Sequence, residues 1–418
     1  MKIRELTNEE FKSFSDNYNQ KSIYQTVEYA LVMNTQNFDS YYLGLVDDTE
    51  QILAASLILI QKKSKFKYGY APRGFLIDYN DENLLTIFTT EIKKYLGKKN
   101  VIAVKLSPIV IKSTYDLKHN VMTKNNYFDT IFSTLKKLGY IHLGYNSFFE
   151  ALKPRYEAII DLNLPFYILF KNINKKFRTK IRSAEKRGIQ VYKGTKEELD
   201  YLYLQTKNKY PRDLNYFKEC YHYWNLHQNV DFFYTKLNTQ HFLTLCQNNY
   251  NIQESKILSI TQQISNANLA EEKAKFVSIK MQEDKKLFDL KRQLLYATKL
   301  LRDYPEGIVT SSALIIKNND TISLLMDGYN PKFKSFNSKH LLIWKLIEKY
   351  SKAGFKFFNL GGITAVNLIN NPYHGLNRFK LNFNALGIEY IGDLELITNN
   401  TLYFMYKNSI TFKSILKK

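Results

Sequence analysis

Residues able to do chemistry gather between Asn359 and Phe383. The segment reads Asn359-Leu360-Gly361-Gly362-Ile363, a polar loop, then His374-Gly375-Leu376-Asn377-Arg378-Phe379-Lys380-Leu381-Asn382-Phe383. A strand over Phe355 to Leu360 runs into the glycine pair, and the chain returns through Pro372 and Gly375 to two cations. Glycine admits backbone conformations closed to other residues and lets a ligand approach closely. Alternation around Phe379 and Phe383 predicts a strand with Arg378 and Lys380 on one side and buried aromatics on the other. Two cations on a rigid element suit an anion or a developing oxyanion. A solvated basic strand edge has the same spacing, and the segment alone does not separate the two.

Something must hold this segment in place. With 418 residues the chain exceeds a single typical core, so two or three structural units are expected. To about Lys153, strands and helices alternate. Tyr41 to Val46 and Ile52 to Gln61 form a hairpin around Asp47-Asp48, Leu84 to Tyr95 has helical periodicity, and Val101 to Leu106 is a short buried strand. Thr130 to Lys137 reads as a helix closed by Gly139. A second stretch alternates in the same way, with strand Ala158 to Leu162, basic helix Lys175 to Arg187 ended by Gly188, and strand Ile189 to Lys193. After Pro305 come strands Ile308 to Lys317 and Thr321 to Asp327, then a helix from Ser338 to Lys352. The expected class is α/β, with two related modules. Between Arg212 and Tyr304 there is neither glycine nor proline. Ile257, Ile260, Ile264 and Ala267 keep heptad spacing, as do Leu287, Leu290, Leu294, Ala297 and Leu301, which predicts an antiparallel helical hairpin with its polar break near Gln282-Glu283-Asp284.

Charge is the compositional outlier: 60 Lys and Arg against 39 Asp and Glu leave +21. Such an excess favours polyanions, whether nucleic acid, anionic lipid or phosphate-bearing substrates. Cys220 and Cys246 stand in no metal-ligand spacing and make no disulfide scaffold, which fits a reducing cytoplasm. The N-terminus lacks the apolar core of a signal peptide. Ile52 to Ile60, the most apolar run, is far short of the ~20 residues that span a bilayer. Any membrane contact is therefore expected at the surface.

Several segments, taken in order, resemble the FemABX family of peptidoglycan-bridge aminoacyltransferases. Tyr24-Gln25-Thr26-Val27-Glu28-Tyr29 resembles the opening Phe-x-Gln-x3-Trp, with Tyr29 in place of Trp. Tyr70-Ala71-Pro72-Arg73-Gly74 with Asp78-Tyr79 is similar to an Arg-Gly-Pro-x2-Asp turn. Ile181-Arg182-x2-Glu185-Lys186-x-Gly188-Ile189 is similar to the basic helix of the second module, and Arg212-x3-Tyr216 to an Arg-x3-Tyr pair. Asn359-x-Gly361-Gly362 and Gly375-x2-Arg378-Phe379-Lys380-x2-Phe383 resemble the closing signature. The resemblance spans essentially the whole chain.

It implies two acetyltransferase-like (GNAT-like) domains, over residues 1–153 with 393–418 and over 154–238 with 307–392, and an inserted coiled-coil arm over 239–306. It also implies the reaction: an amino acid carried on tRNA passes to the stem-peptide amine of a peptidoglycan precursor, either lipid II or UDP-MurNAc-pentapeptide. Aminoacyl-tRNA is then a co-substrate and no cofactor is needed. The setting is cytoplasmic, with peripheral contact at the inner membrane face. Lys380 inherits charge stabilisation at the reacting centre. Arg212 inherits the precursor's phosphates, with Tyr216 lining the same groove, and Arg73 and Arg378 inherit substrate contacts. Aminolysis of an activated ester requires no covalent enzyme intermediate, so no nucleophilic triad is expected.

Two positions depart from the family pattern. Met33 stands where a basic residue contacts phosphate, and Ser107-Pro108 replaces an Asp-Pro pair whose Asp has been proposed as a base. Asp78 is a candidate substitute, though its spacing also suits a turn-stabilising role. The exposed cations of Lys175 to Arg187 could serve tRNA phosphate, lipid head groups or solvent alone. An acyl-CoA enzyme would need a pyrophosphate loop at a helix N-terminus, which the sequence lacks. A non-catalytic protein binding precursor or RNA remains the other alternative.

Overall fold

The computed structural model describes residues 1–20, 22–61, 66–151, 153–208, 212–365 and 370–415. Sixteen strands among them form two mixed sheets. The seven-stranded sheet runs, edge to edge, Lys2–Glu5, Phe38–Val46, Ile52–Gln61, Lys67–Ala71, Val101–Leu106, Leu394–Ile397, Tyr140–His142. The nine-stranded sheet runs Ile189–Gly194, Val230–Leu237, Ile308–Asn318, Thr321–Tyr329, Phe357–Ile363, Tyr156–Asp161, Leu386–Tyr390, Ile111–Tyr115, Val121–Lys124.

The hairpin predicted around Asp47-Asp48 is present, with Leu43 opposite Ser56 and Tyr41 opposite Ile58. Its inward residues join Leu85, Phe88 and Ile92 of helix Glu82–Lys98 in one apolar core. Gly139 and Gly188 follow their helices at φ of +88° and +80°, as C-terminal caps require.

The chain crosses between the sheets four times. Strand Leu394–Ile397, near the C-terminus, lies in the first sheet between Val101–Leu106 and Tyr140–His142. The hairpin over residues 111–124, from the stretch read as the first unit, pairs instead with Leu386–Tyr390 in the second sheet. Ser113 and Tyr115 seal this crossing by donating hydroxyl hydrogen bonds to the buried Glu389 at 2.8 and 2.6 Å.

Helices Thr239–Asn266 and Ala270–Asp303 lie antiparallel, since Thr239 donates to the Tyr304 carbonyl at 2.8 Å and Gln253 to Glu283 at 2.7 Å. Their turn falls at 267–269, not at the polar break predicted near Glu283. Glu283 is mid-helix and its carboxyl is held down to about 2 by Lys286, Gln253 and Lys256, so a polar patch that reads as a turn is a satisfied acid in the seam. At the base, Phe242, Cys246, Ala297 and Leu300 belong to the core that also holds Phe333 and Phe336. No helix among the described residues is long and apolar enough to cross a membrane.

The base of the hairpin is therefore core and its outer part is not. Replacing residues 250–287 by a short glycine loop is expected to leave the thermal unfolding midpoint nearly unchanged. Deleting all of 239–306 strips apolar surface from Phe333 and Phe336 and is expected to lower it by several degrees or more. Circular dichroism melts of the two variants check this.

Candidate active site

The strand Phe357–Ile363 carries the glycine pair, and its ladders break there on both sides. Its parallel pairing with Thr321–Tyr329 ends at Ser323 opposite Asn359. Its antiparallel pairing with Tyr156–Asp161 shifts register between Asn359 and Gly362. Gly361 has a φ of +79°, closed to most side chains, and a Cβ at Gly362 would run into Pro154. Asn359 sustains the bulge: its side-chain oxygen accepts from the Gly361 amide at 2.7 Å, and its amide nitrogen donates to Glu157 at 2.9 Å.

The segment predicted as a basic strand is a helix, His374–Leu381. Asn377, Lys380 and Leu381 form its buried stripe, a spacing of three and four that belongs to a helix. Asn377 ties it to the strand's end, accepting from the Thr364 amide and donating to the Thr364 carbonyl, both at 3.0 Å. The two cations therefore part company, being roughly 200° apart around the axis. Arg378 is exposed. Lys380 is buried and donates from Nζ to the Gly362 carbonyl at 2.8 Å, filling the opening where the strands diverge, with Gly361 beside it. Burial lowers its pKa to about 8; Lys339 adds to this, while Asp327 and Glu157 oppose it.

Behind the bulge stands an ion pair between the sheets. Arg73 Nη2 donates to Glu157 Oε1 at 2.7 Å and to the Pro154 carbonyl at 2.6 Å, and its guanidinium lies 4.5 Å from the Tyr390 ring centroid. The Tyr390 hydroxyl donates to the other Glu157 oxygen at 3.1 Å. Burial pushes the Glu157 carboxyl up, but the Arg73 charge and the hydrogen bonds from Arg73, Asn359 and Tyr390 bring it below the usual range. Arg73, expected to touch substrate, thus spends its guanidinium on the site's frame. The Ser107 hydroxyl accepts from the Arg73 amide at 3.2 Å, and Asp78 accepts from the Asn80 amide at 2.9 Å in an Asx turn.

Arg212 and Tyr216, paired by the family resemblance, lie together, the guanidinium 4.6 Å from the ring centroid. Asp213 caps helix Leu214–Asn225 by accepting from the Tyr216 amide at 2.7 Å. Tyr24 and Tyr29 meet edge to face at 5.1 Å nearby, where the Arg212 charge is felt at both phenols. Gln25 pins this segment: its amide donates to the carbonyls of Leu57 and Pro72 at 3.2 and 2.9 Å. Met33 lies buried with Tyr42, Leu57 and Phe217, so that position is core. In the basic helix Lys175–Lys186, Phe177 and Ile181 are buried, and Phe177 packs at 5.4 Å against Phe383. Sequence reasoning missed Glu157 and Lys153. Glu157 had a signal, an acid inside an otherwise apolar strand; Lys153, a lone lysine before proline, had none.

The FemAB family model matches residues 6–409. The chain belongs to the FemAB family. It is 24% identical over 416 residues to "Aminoacyltransferase FemA" of Staphylococcus epidermidis, covering 97% of this chain and 98% of that protein. It is 26% identical over 429 residues to "Aminoacyltransferase FemB" of S. epidermidis strain ATCC 12228, covering both in full. The crystal structure of FemX superposes with a TM-score of 0.73 at 20% identity, covering 97% of this chain and 99% of FemX, and so shares the mixed α/β fold. By this membership the chain is an acyltransferase enzyme.

Burying Lys380 has a cost that depends on pH. Its folded pKa of about 8 lies below an unfolded value of about 10.4. The unfolded chain therefore holds more protons between these values, and stability rises with pH across that window; below it the cost is fully present. Lys380→Met is expected to melt higher than the wild type at pH 7 and to lose this advantage near pH 10. Thermal melts across that range check it, and an advantage that does not narrow would contradict it.

Proposed function

We propose that this protein transfers an amino acid from aminoacyl-tRNA to the stem-peptide amine of a peptidoglycan precursor, lipid II or its nucleotide-linked form. The observation that carries the reading is the Lys380 ammonium, buried at a backbone bulge yet spending just one hydrogen bond among the described residues, on the Gly362 carbonyl. A lysine ammonium has three N–H donors. Those left over suit the oxyanion that forms when an amine attacks an ester carbonyl, in a site dry enough to strengthen the interaction.

The reaction asks for positioning more than for a nucleophile. The acceptor amine attacks the aminoacyl ester, the carbonyl oxygen takes the negative charge beside Lys380, and collapse expels the tRNA 3′ oxygen, which leaves with a proton. The amine must first shed a proton of its own. Ser107 is no carboxylate base, and its hydroxyl is engaged with the Arg73 amide, so water or the substrate takes it. Arg212, stacked on Tyr216, supplies a planar guanidinium for the precursor's phosphates. Lys175, Lys176, Arg182 and Lys186 leave an exposed basic face suited to tRNA phosphate, in keeping with the net charge of +21. The activity for which the relatives are named supports the same reaction class.

The test mixes the purified protein with lipid II and a set of charged tRNAs and follows transfer by mass spectrometry. Product is expected with at least one aminoacyl-tRNA; none, alongside retained lipid II binding, would make this a binding protein. Lys380→Ala is expected to lower turnover roughly 100- to 1000-fold while precursor affinity stays within a few-fold. Equal losses in both would reduce Lys380 to a binding residue.

A further inference from the structure

Helix Ala270–Asp303 carries a second apolar stripe, one that its hairpin partner does not cover. Val277, Met281, Phe288 and Leu295 are 42, 62, 63 and 63% exposed. Scattered exposed apolar residues are ordinary on a protein surface, but these four fall in line. At roughly 100° per residue, their spacing keeps them within about 40° of one another around the axis, over a length of about 27 Å. The seam residues Glu283, Leu287, Leu290 and Leu294 lie roughly 120–130° away, on the side that meets helix Thr239–Asn266. The back of a solvated hairpin is normally polar, and this one is not.

Cations flank the stripe. Lys273, Lys285, Lys291, Arg292 and Lys299 are exposed and sit within about 60° of its midline. Acids in the same span oppose them little. Glu283 is held in the seam, and Asp289 lies roughly 100° round the flank. Asp284 does share the face, but it is tied to Lys280 at 3.1 Å. The occupant of this face must therefore satisfy an apolar stripe and a row of cations together. A second copy of the helix would set the same cations against these, with Asp284 alone to offset them. RNA phosphate would take the cations and leave Val277, Met281 and Leu295 in water. An anionic bilayer takes both, because long basic side chains reach lipid phosphates while apolar ones enter the boundary beneath.

We propose that this face of the arm docks the protein on an anionic lipid surface, with the hairpin lying along the membrane. Val277, Met281, Phe288 and Leu295 enter the head-group boundary, and the flanking lysines and Arg292 hold lipid phosphates. The peripheral contact expected from the sequence thus acquires a definite surface, separate from the basic helix Lys175–Lys186. It uses no residue of the proposed transfer site and does not depend on that reading.

The experiment sediments the full chain with vesicles of phosphatidylcholine alone and of phosphatidylcholine mixed with phosphatidylglycerol. Binding is expected on the mixed vesicles, weakening as salt is raised, and at least several-fold weaker on the neutral ones. Met281→Ser combined with Phe288→Ser changes exposed side chains, so the melt is expected to match the wild type. Its vesicle affinity is expected to fall roughly 10- to 100-fold. Lys285→Gln, Lys291→Gln and Arg292→Gln together are expected to remove most of the salt dependence. Trp224 and Trp344 are buried, so the added indole of Phe288→Trp reports contact directly, and its emission is expected to shift to the blue on the mixed vesicles. If the wild type binds neither vesicle, or the folded serine variant binds as the wild type does, the face is not a membrane surface. Loss of self-association or of tRNA binding in that variant, with vesicle binding unchanged, would give the face to a second copy or to RNA instead. None of these measurements uses the transfer reaction, so the proposed function is tested separately.

Discussion

The site hangs on one buried carboxylate. Glu157 receives Arg73 from the first sheet, Tyr390 from its own sheet, and Asn359 from the glycine strand. Through Asn359 it governs the Gly361 amide, and through Arg73 it governs the loop that carries Ser107's partner. A buried ion pair is weak evidence for stability, because desolvation of both charges offsets most of their attraction. What it supplies is position. Removing either partner strands the other without compensation, at a cost of about 3–5 kcal/mol. The junction is thus directional: the two sheets meet in the one geometry that satisfies all of these donors, and the bulge is keyed to that geometry.

Lys380 depends on the same arrangement. Two neighbouring strands diverge because their ladder stops at Ser323 and Asn359, and the lysine occupies the gap. A charged group held in so dry a place lowers stability at neutral pH, and such costs concentrate where chemistry needs the charge. The glycines serve this in different ways. Gly361 admits the positive φ of the bulge, and Gly362 lets Pro154 close against the strand.

Local pattern revealed what local pattern controls. The hairpin from Phe38 to Gln61 and the helix over Glu82–Lys98 follow from periodicity, whereas the pair Arg212 and Tyr216 came only from the family resemblance. The helix His374–Leu381 escaped because eight residues are too few to be helical on propensity alone, and its hold comes from Asn377 reaching back to Thr364. Alternation over so short a run matches either period. The hairpin over 111–124 escaped for a different reason: its partner strand, Leu386–Tyr390, lies far along the chain, and no local pattern encodes that pairing. Glu283 misled because an acid in a heptad seam reads as a break until Gln253, Lys256 and Lys286 are seen around it.

Ser107 gains meaning from its surroundings. Its hydroxyl accepts the Arg73 amide, so the backbone duty of an oxygen acceptor is met without an acid. What a serine does not bring is negative charge. Glu157 is committed to Arg73, and neither Lys153 nor Arg212 is ion-paired with a carboxylate among the described residues. A carboxylate at position 107 would stand against the Arg73 loop and compete with Glu157 for the same guanidinium. The serine therefore leaves the Arg73–Glu157 pair undisturbed and gives up a proton acceptor to do so. Under the proposed reaction, whose difficulty lies in positioning two large substrates rather than in activating a nucleophile, the site loses little by that exchange.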